Sequence, residues 1–198
     1  MEIVSVAFDV HLPAGVAGPA AMNFDVRCFL IPHADGLSLL DTGVAGSAAA
    51  IGTALTRLGA TWDDVSDIVL SHDHPDHVGS LDEVIALAPH AAVWGNSPLS
   101  TQSLADGDSL RNLRVLSTPG HTAGHVSLLH GEGTLLVGDL VGSHNGQLQR
   151  APAPFTADPS QAEESIRKIA RINALHMLFG HGAEIDQPQT ALQELLDV

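Results

Sequence analysis

Six consecutive residues, His72-Asp73-His74-Pro75-Asp76-His77, gather imidazoles and carboxylates in the pattern H-x-H-x-D-H. They follow a short apolar run, Asp67-Ile68-Val69-Leu70-Ser71, that reads as a buried strand. Imidazoles and carboxylates left without partners in an apolar interior cost several kcal/mol each, so the pattern calls for something that satisfies them. A divalent cation does so, because neutral imidazole and ionised carboxylate are ligands that zinc takes at roughly 2.0–2.2 Å. In an extended or loosely turned segment His72 and His74 point the same way, and a tight turn at Pro75 brings Asp76 and His77 to a neighbouring point. The bland alternative is a histidine-rich surface loop in a chain with 12 histidines among 198 residues. Chance alone would give this spacing with odds on the order of a few in a thousand.

The elements that must position these residues alternate between strands and helices. Apolar runs predict strands over 3–10, 24–31, 37–40, 68–70, 91–94, 113–117, 126–129, 134–137 and 175–179. Helical spacing predicts helices over 45–58, closed by Gly59, from Ser80 to about Ala88, from Asp158 to Arg171 and over 188–196. A helical turn is expected over 98–104, tight turns at 106–108 and 131–133, and an ordered loop over the site at 142–156. The Pro/Gly/Ala stretch 13–21 reads either as a loop at the mouth of a site or as a hairpin tip. Strands interleaved with helices in both halves, with no repeat and no linker, suggest one α/β domain over residues 1–198, built from two sheets with helices outside them.

Further ligand-type residues stand where predicted strands stop: His121, Asp139 and His181, each beside glycine, which lets backbone come close to a crowded centre. Strand ends in a layered fold converge at one edge, where sites are usually built. With His72, His74, Asp76 and His77 they make a set too large for one tetrahedral ion and suited to two, with Asp139 as the bridge. Asp41 also ends a strand, in Leu39-Leu40-Asp41-Thr42-Gly43. It is either a cap for the next helix or a partner that orients a metal-ligating histidine.

Composition removes several function classes. The formal charge of −15 repels phosphate backbones and argues against a nucleic-acid partner. No apolar run is long enough to span a bilayer, and the N-terminus has no basic region leading into an apolar stretch, so no membrane association is expected and the expected location is the cytoplasm. Cys28, the one cysteine, has apolar neighbours in Val26, Phe29, Leu30 and Ile31 and reads as a buried structural thiol.

Taken in order, H-x-H-x-D-H, then T-P-G-H-T-x-G-H over 118–125, then Gly138-Asp139, then Gly180-His181-Gly182, the chain resembles the metallo-β-lactamase fold superfamily from about Leu39 to Gly182. The resemblance implies a four-layer αββα sandwich of two mixed sheets flanked by helices, with two divalent metal ions, Zn2+ first and Fe or Mn as alternatives. It places His72, His74 and His121 on one ion and Asp76, His77 and His181 on the other, with Asp139 bridging. Asp41 then takes the orienting role, and His125 matches a motif histidine that is structural. His144, in the loop after Asp139, is a candidate substrate contact; His11, His33, His90, His130 and His176 match nothing. The implied chemistry is a metal-bridged hydroxide that attacks an electrophilic centre, with Asp76 taking and returning a proton.

Departures from branch patterns narrow the expectation. His74 stands where the flavin-partnered diiron reductases have glutamate, no cysteine lies near the ligands, and tyrosine is absent where quorum-quenching lactonases use one. Hydroxyacylglutathione hydrolases resemble the chain through 118–125 but carry a further C-terminal domain, for which no room is expected after His181. The expected activity is therefore a compact glyoxalase-II-like hydrolase of a small ester, thioester or lactone, with a small-molecule substrate and a monomeric or homodimeric state. The alternatives are a mononuclear iron persulfide dioxygenase using the equivalents of His72, His121 and Asp139, a β-lactam-hydrolysing member of the same fold, and a scaffold that has lost catalysis. The stretch after Asp139 lacks the arginine and cysteine expected of the dioxygenases, and all seven ligand positions are kept, against the scaffold reading.

Overall fold

The structure, a computed structural model, describes residues 2–15, 18–131 and 133–197. Val16, Ala17 and Glu132, which belong to the expected loop 13–21 and turn 131–133, lie outside the described residues. The chain divides into two compact units.

In the first unit β1 (Val4–Leu12), β2 (Met22–His33), β3 (Gly36–Leu40), β4 (Val65–Val69) and β5 (Ala92–Trp94) form a mixed sheet in that order. β1, β2 and β3 pair antiparallel, while β3, β4 and β5 run parallel. The connection from β3 to β4 carries α1 (Ala48–Arg57), as a parallel pair requires. Ala48, Ile51, Ala54 and Leu55 form the buried stripe of α1, and Gly59, with φ +72°, takes the left-handed position just beyond its end. The stripe packs on Leu30, Leu39, Ile68, Leu70 and Val93. Cys28, Leu30 and Ile31 are fully buried, so the interior half of β2 reads as one apolar run rather than an alternation.

The tight turn expected at Pro75 is a single helical turn, α2 (Pro75–Val78). Pro75 sits at its first position, where a missing N–H costs nothing. Gly79 follows, and a Cβ there would meet Ala45 N and Pro75 O at 2.6 Å each. Ser80 precedes α3 (Leu81–Leu87). Its hydroxyl donates to Val44 O at 2.7 Å and accepts from Ser47 N at 2.8 Å, tying the segment to the loop before α1 instead of capping α3. Residues 98–104 form no helix: the carbonyl of Val93 accepts from both Thr101 N and Gln102 N at 2.9 Å, so the sheet edge has taken the donors that a helical turn would need.

In the second unit β6 (Ser109–Leu110), β7 (Leu113–Ser117), β8 (Val126–His130) and β9 (Thr134–Leu136) are consecutive antiparallel neighbours. β10 (Val141–His144) and β11 (Gln147–Arg150) form a separate hairpin, followed by α4 (Pro159–Ala170), β12 (His176–Leu178) and α5 (Pro188–Leu196). β12 adds parallel to β9, giving the order β12-β9-β8-β7-β6. Ile166 and Ile169 of α4 and Leu192 of α5 pack with Leu135, Val137 and Phe179. Part of the expected loop 142–156 is thus the β10–β11 hairpin. Asn145 and Gly146, with φ +51° and +75°, supply the two left-handed residues that a tight hairpin turn demands. Arg150 bonds Glu163 of α4 through Nε at 2.9 Å and holds its carboxyl below the usual range. Among the described residues no helix is long and apolar enough to cross a membrane.

Because α2 is docked through a backbone approach that excludes any side chain at position 79, Gly79→Ala is expected to cost about 1–3 kcal/mol. Urea unfolding checks this; a midpoint equal to the parent's would show that the approach is not tight.

Candidate metal centre

The parallel pairing of β3 with β4 brings the first group of ligand-type residues together. Leu40 faces Val69 across the pair, so the residues that follow, Asp41 and Leu70-Ser71-His72, leave the sheet side by side. Asp41 has φ +59°, a left-handed backbone that aspartate tolerates better than most residues. Its N–H still donates to Val69 O at 2.8 Å, and the carboxylate, 2 % exposed, turns back over the strand ends. Three donors meet it: Ser71 N on Oδ1 at 2.7 Å, Ser71 Oγ on Oδ2 at 2.7 Å and His77 Nδ1 on Oδ2 at 2.8 Å.

These bonds fix the protons of two imidazoles. Ser71 gives its only hydroxyl hydrogen to Asp41, so it accepts from His72, whose Nδ1 lies 3.0 Å away. His72 and His77 therefore both carry their proton on Nδ1 and present Nε2 as the acceptor nitrogen. The ligand-type atoms of His72 and His74, of His72 and His77, and of Asp76 and His77 approach within 4.8 Å of one another. Asp76 is half-buried, whereas Asp73 is exposed. Asp41 caps no helix: α1 begins at Ala48 and carries no side-chain cap bond, and the Asp41 carboxylate bonds Ser71 and His77 instead.

The second unit assembles its group by the same register argument. β9 and β12 are parallel with Leu136 beside Leu178, and Asp139 and His181 each follow three residues later. Gly180 N donates to Gly138 O at 3.0 Å, which carries the pairing beyond the strands. β7 runs in the same direction, so its end at Ser117 leads to His121. His181 Nε2 lies 2.8 Å and His121 Nε2 3.6 Å from Asp139 Oδ2.

His125 is fully buried and engages both ring nitrogens, so it is a support and not a ligand. Nε2 accepts from Asp139 N at 3.1 Å, which puts the ring proton on Nδ1, bonded at 2.9 Å to Thr118 Oγ1. Thr118 then donates to Ser127 Oγ at 2.9 Å, and Ser127 to Val137 O at 3.2 Å. Thr118 opens the motif over 118–125 without a role of its own being legible there, and the one signal for Ser127 is a serine inside the apolar run of β8, two residues after His125.

The other histidines lie apart. His11 bonds Asn23, His33 bonds Ser66, His130 bonds Asn112, and His90 and His176 are exposed. His144 is exposed beside the β10–β11 turn, opposite Gln147. Burial first, and then the nearby Asp41 carboxylate, push the Cys28 thiol up, which keeps it protonated and unsuited to ligation. Imidazole nitrogens with fixed tautomers, together with carboxylate oxygens, fit a divalent cation. That donor set suits Zn, Fe and Mn alike.

Known proteins are similar to this chain. The family model described as Metallo-beta-lactamase superfamily matches residues 22–99. The hydroxyacylglutathione hydrolase of Aeromonas salmonicida is 33 % identical over 75 % of this chain and 57 % of its own length. Thioesterase pkgB of Emericella nidulans is 31 % identical over 87 % of this chain and 51 % of its own. The chain thus spans little more than half the length of those two relatives. Among solved structures, a metallo-beta-lactamase family protein from Thermus thermophilus superposes with a TM-score of 0.73 at 21 % identity, over 97 % of this chain and 78 % of its own.

Since Asp41 receives three hydrogen bonds in a buried position, Asp41→Asn is expected to lower stability by about 1–3 kcal/mol. The amide offers one oxygen and sets an NH2 against a donor. A urea midpoint unchanged from the parent's would contradict the role assigned to these bonds.

Proposed function

The chain belongs to the metallo-β-lactamase superfamily, and on that premise we propose that it is a metal-dependent hydrolase of a small ester, thioester or lactone. The observation that carries the reading is the fixed tautomer of His72 and His77, each set by Asp41, directly or through Ser71. A histidine turn with no ligand to hold has no need of such control.

In this reading His72, His74 and His121 hold one divalent ion, Asp76, His77 and His181 hold a second, and Asp139 is shared. Zinc is the metal proposed, with iron or manganese suited to the same donors. Such a pair of ions supplies Lewis acidity at the scissile bond and lowers the pKa of the attacking water. The protein's own groups do the remainder. Asp41 keeps Nε2 of His72 and His77 as the acceptor nitrogen, and the His125 relay holds the Asp139 backbone in place. Asp76, half-buried at the start of α2, is the carboxylate proposed to take a proton from the attacking water and return it to the leaving group. His144 is proposed as a substrate contact.

The names of two relatives, a hydroxyacylglutathione hydrolase and a thioesterase, support a thioester as the first substrate class to assay. The charge of −15 favours a small molecule over a nucleic acid.

Elemental mass spectrometry on protein purified without added metal or chelator tests the centre. About two ions per chain are expected; a single iron would redirect the assay to oxygen consumption with a persulfide. Asp139→Asn is expected to lose both ions along with thioester hydrolysis, and full occupancy in that variant would remove the shared role. His144→Ala is expected to keep its metal and change KM; a loss of metal there would make His144 a ligand.

A further inference from the structure

Four carbonyl groups of the turn that carries His121 accept hydrogen bonds from α4 and from the two residues just before it. Lys168 Nζ donates to Ser117 O at 2.8 Å while also bonding Asp106 Oδ1 at 2.5 Å. Ser165 Oγ donates to Pro119 O at 2.7 Å. Just before the helix, Asp158 N donates to Gly120 O at 2.8 Å and Ala157 N to His121 O at 3.0 Å. Turn and helix also touch through backbone: a Cβ at Gly120 would lie 2.1 Å from Ala162 N. The Asp158 side chain accepts from Gln161 N at 3.0 Å and fixes the first turn of α4 where these contacts are made.

Ser165 is out of place by composition. It lies on the buried face of α4 with Ala162, Ile166 and Ile169, where an apolar residue would pack at no polar cost. Its hydroxyl offsets that cost at the Pro119 carbonyl. Lys168 follows at i+3 on the same side of the helix, so the two side chains address the same turn. Pro119 has no N–H to anchor it and Gly120 no side chain, so the carbonyl contacts add to the amides of Ser117, which donates to Asp106 Oδ1 at 2.8 Å, and of Thr118, which donates to His125 O at 3.0 Å.

We infer that Ser165 and Lys168 are positioning residues for His121: by fixing the 117–121 backbone from α4, they set how tightly the ion on His121 is held. The inference rests on the metal-dependent reading above. It assigns part of the metal affinity to a helix that contributes no ligand.

Titration of the metal-free protein with Co(II), followed by its visible ligand-field absorption and by competition with a chelator, tests it. Ser165→Ala is expected to weaken one of two cobalt steps by about three- to tenfold and to shift its absorption band, leaving the other step within about twofold. Lys168→Met is expected to move the same step, and Ser165→Thr, which keeps the hydroxyl, to restore it. Ile169→Val, a loss of packing on the same helix face that touches no turn carbonyl, is expected to lower Tm with both steps unchanged. The inference is overturned if Ser165→Ala titrates like the parent, or if Ile169→Val weakens cobalt binding equally. Failure of the parent itself to take up cobalt would remove the metal-dependent reading, and the inference with it.

Discussion

One buried carboxylate organises the histidine turn. Asp41 ends β3 in a left-handed backbone, and its two oxygens collect a backbone amide, a hydroxyl and an imidazole. A carboxylate so far from water is tolerable only with its acceptor capacity used. Satisfying it is therefore also what orders its neighbours. The strand end at Ser71, the ring of His72 and the ring of His77 are all oriented by the same group. The strained φ is the local cost of aiming the carboxylate across the parallel strand rather than along its own.

The second unit reaches a comparable end without a buried charge at its hub. A neutral relay runs from the Asp139 amide through His125, Thr118 and Ser127 to the Val137 carbonyl. Its direction is set by the first bond, since the amide can only donate. The backbone of a proposed bridging residue is thus referred to Ser127 near the start of β8 and to Val137 just past the end of β9. In both units the residues that would do chemistry are held by others with no part in it.

Much of this was legible in the sequence, because apolar periodicity and strand-end polarity are local signals. β7 falls at 113–117 as read, and Gly59 closes α1. Cys28 is a buried structural thiol. The misses have physical causes. Residues 98–104 lose their helix to a sheet edge, a tertiary competition that no local window contains. The β10–β11 hairpin was readable in Asn145-Gly146, but the polar, glycine-rich flanks hid its alternation. Ser71, Thr118 and Ser127 could not be ranked from sequence, since a hydroxyl becomes informative only when the partner it faces is known.

The in-phase exit of Asp139 and His181, each three residues past the paired Leu136 and Leu178, also bears on how the chain can change in length. Inserting or deleting one residue between the pairing and either ligand would put that ligand out of step with its neighbour, since the two exits are of equal length. Point substitutions there alter chemistry; a single-codon indel removes a donor outright. Hairpin tips bear no such phase relation. Length variation in this lineage, natural or in a designed library, should accumulate at turns such as 145–146 and stay out of the short exits at 137–139 and 179–181.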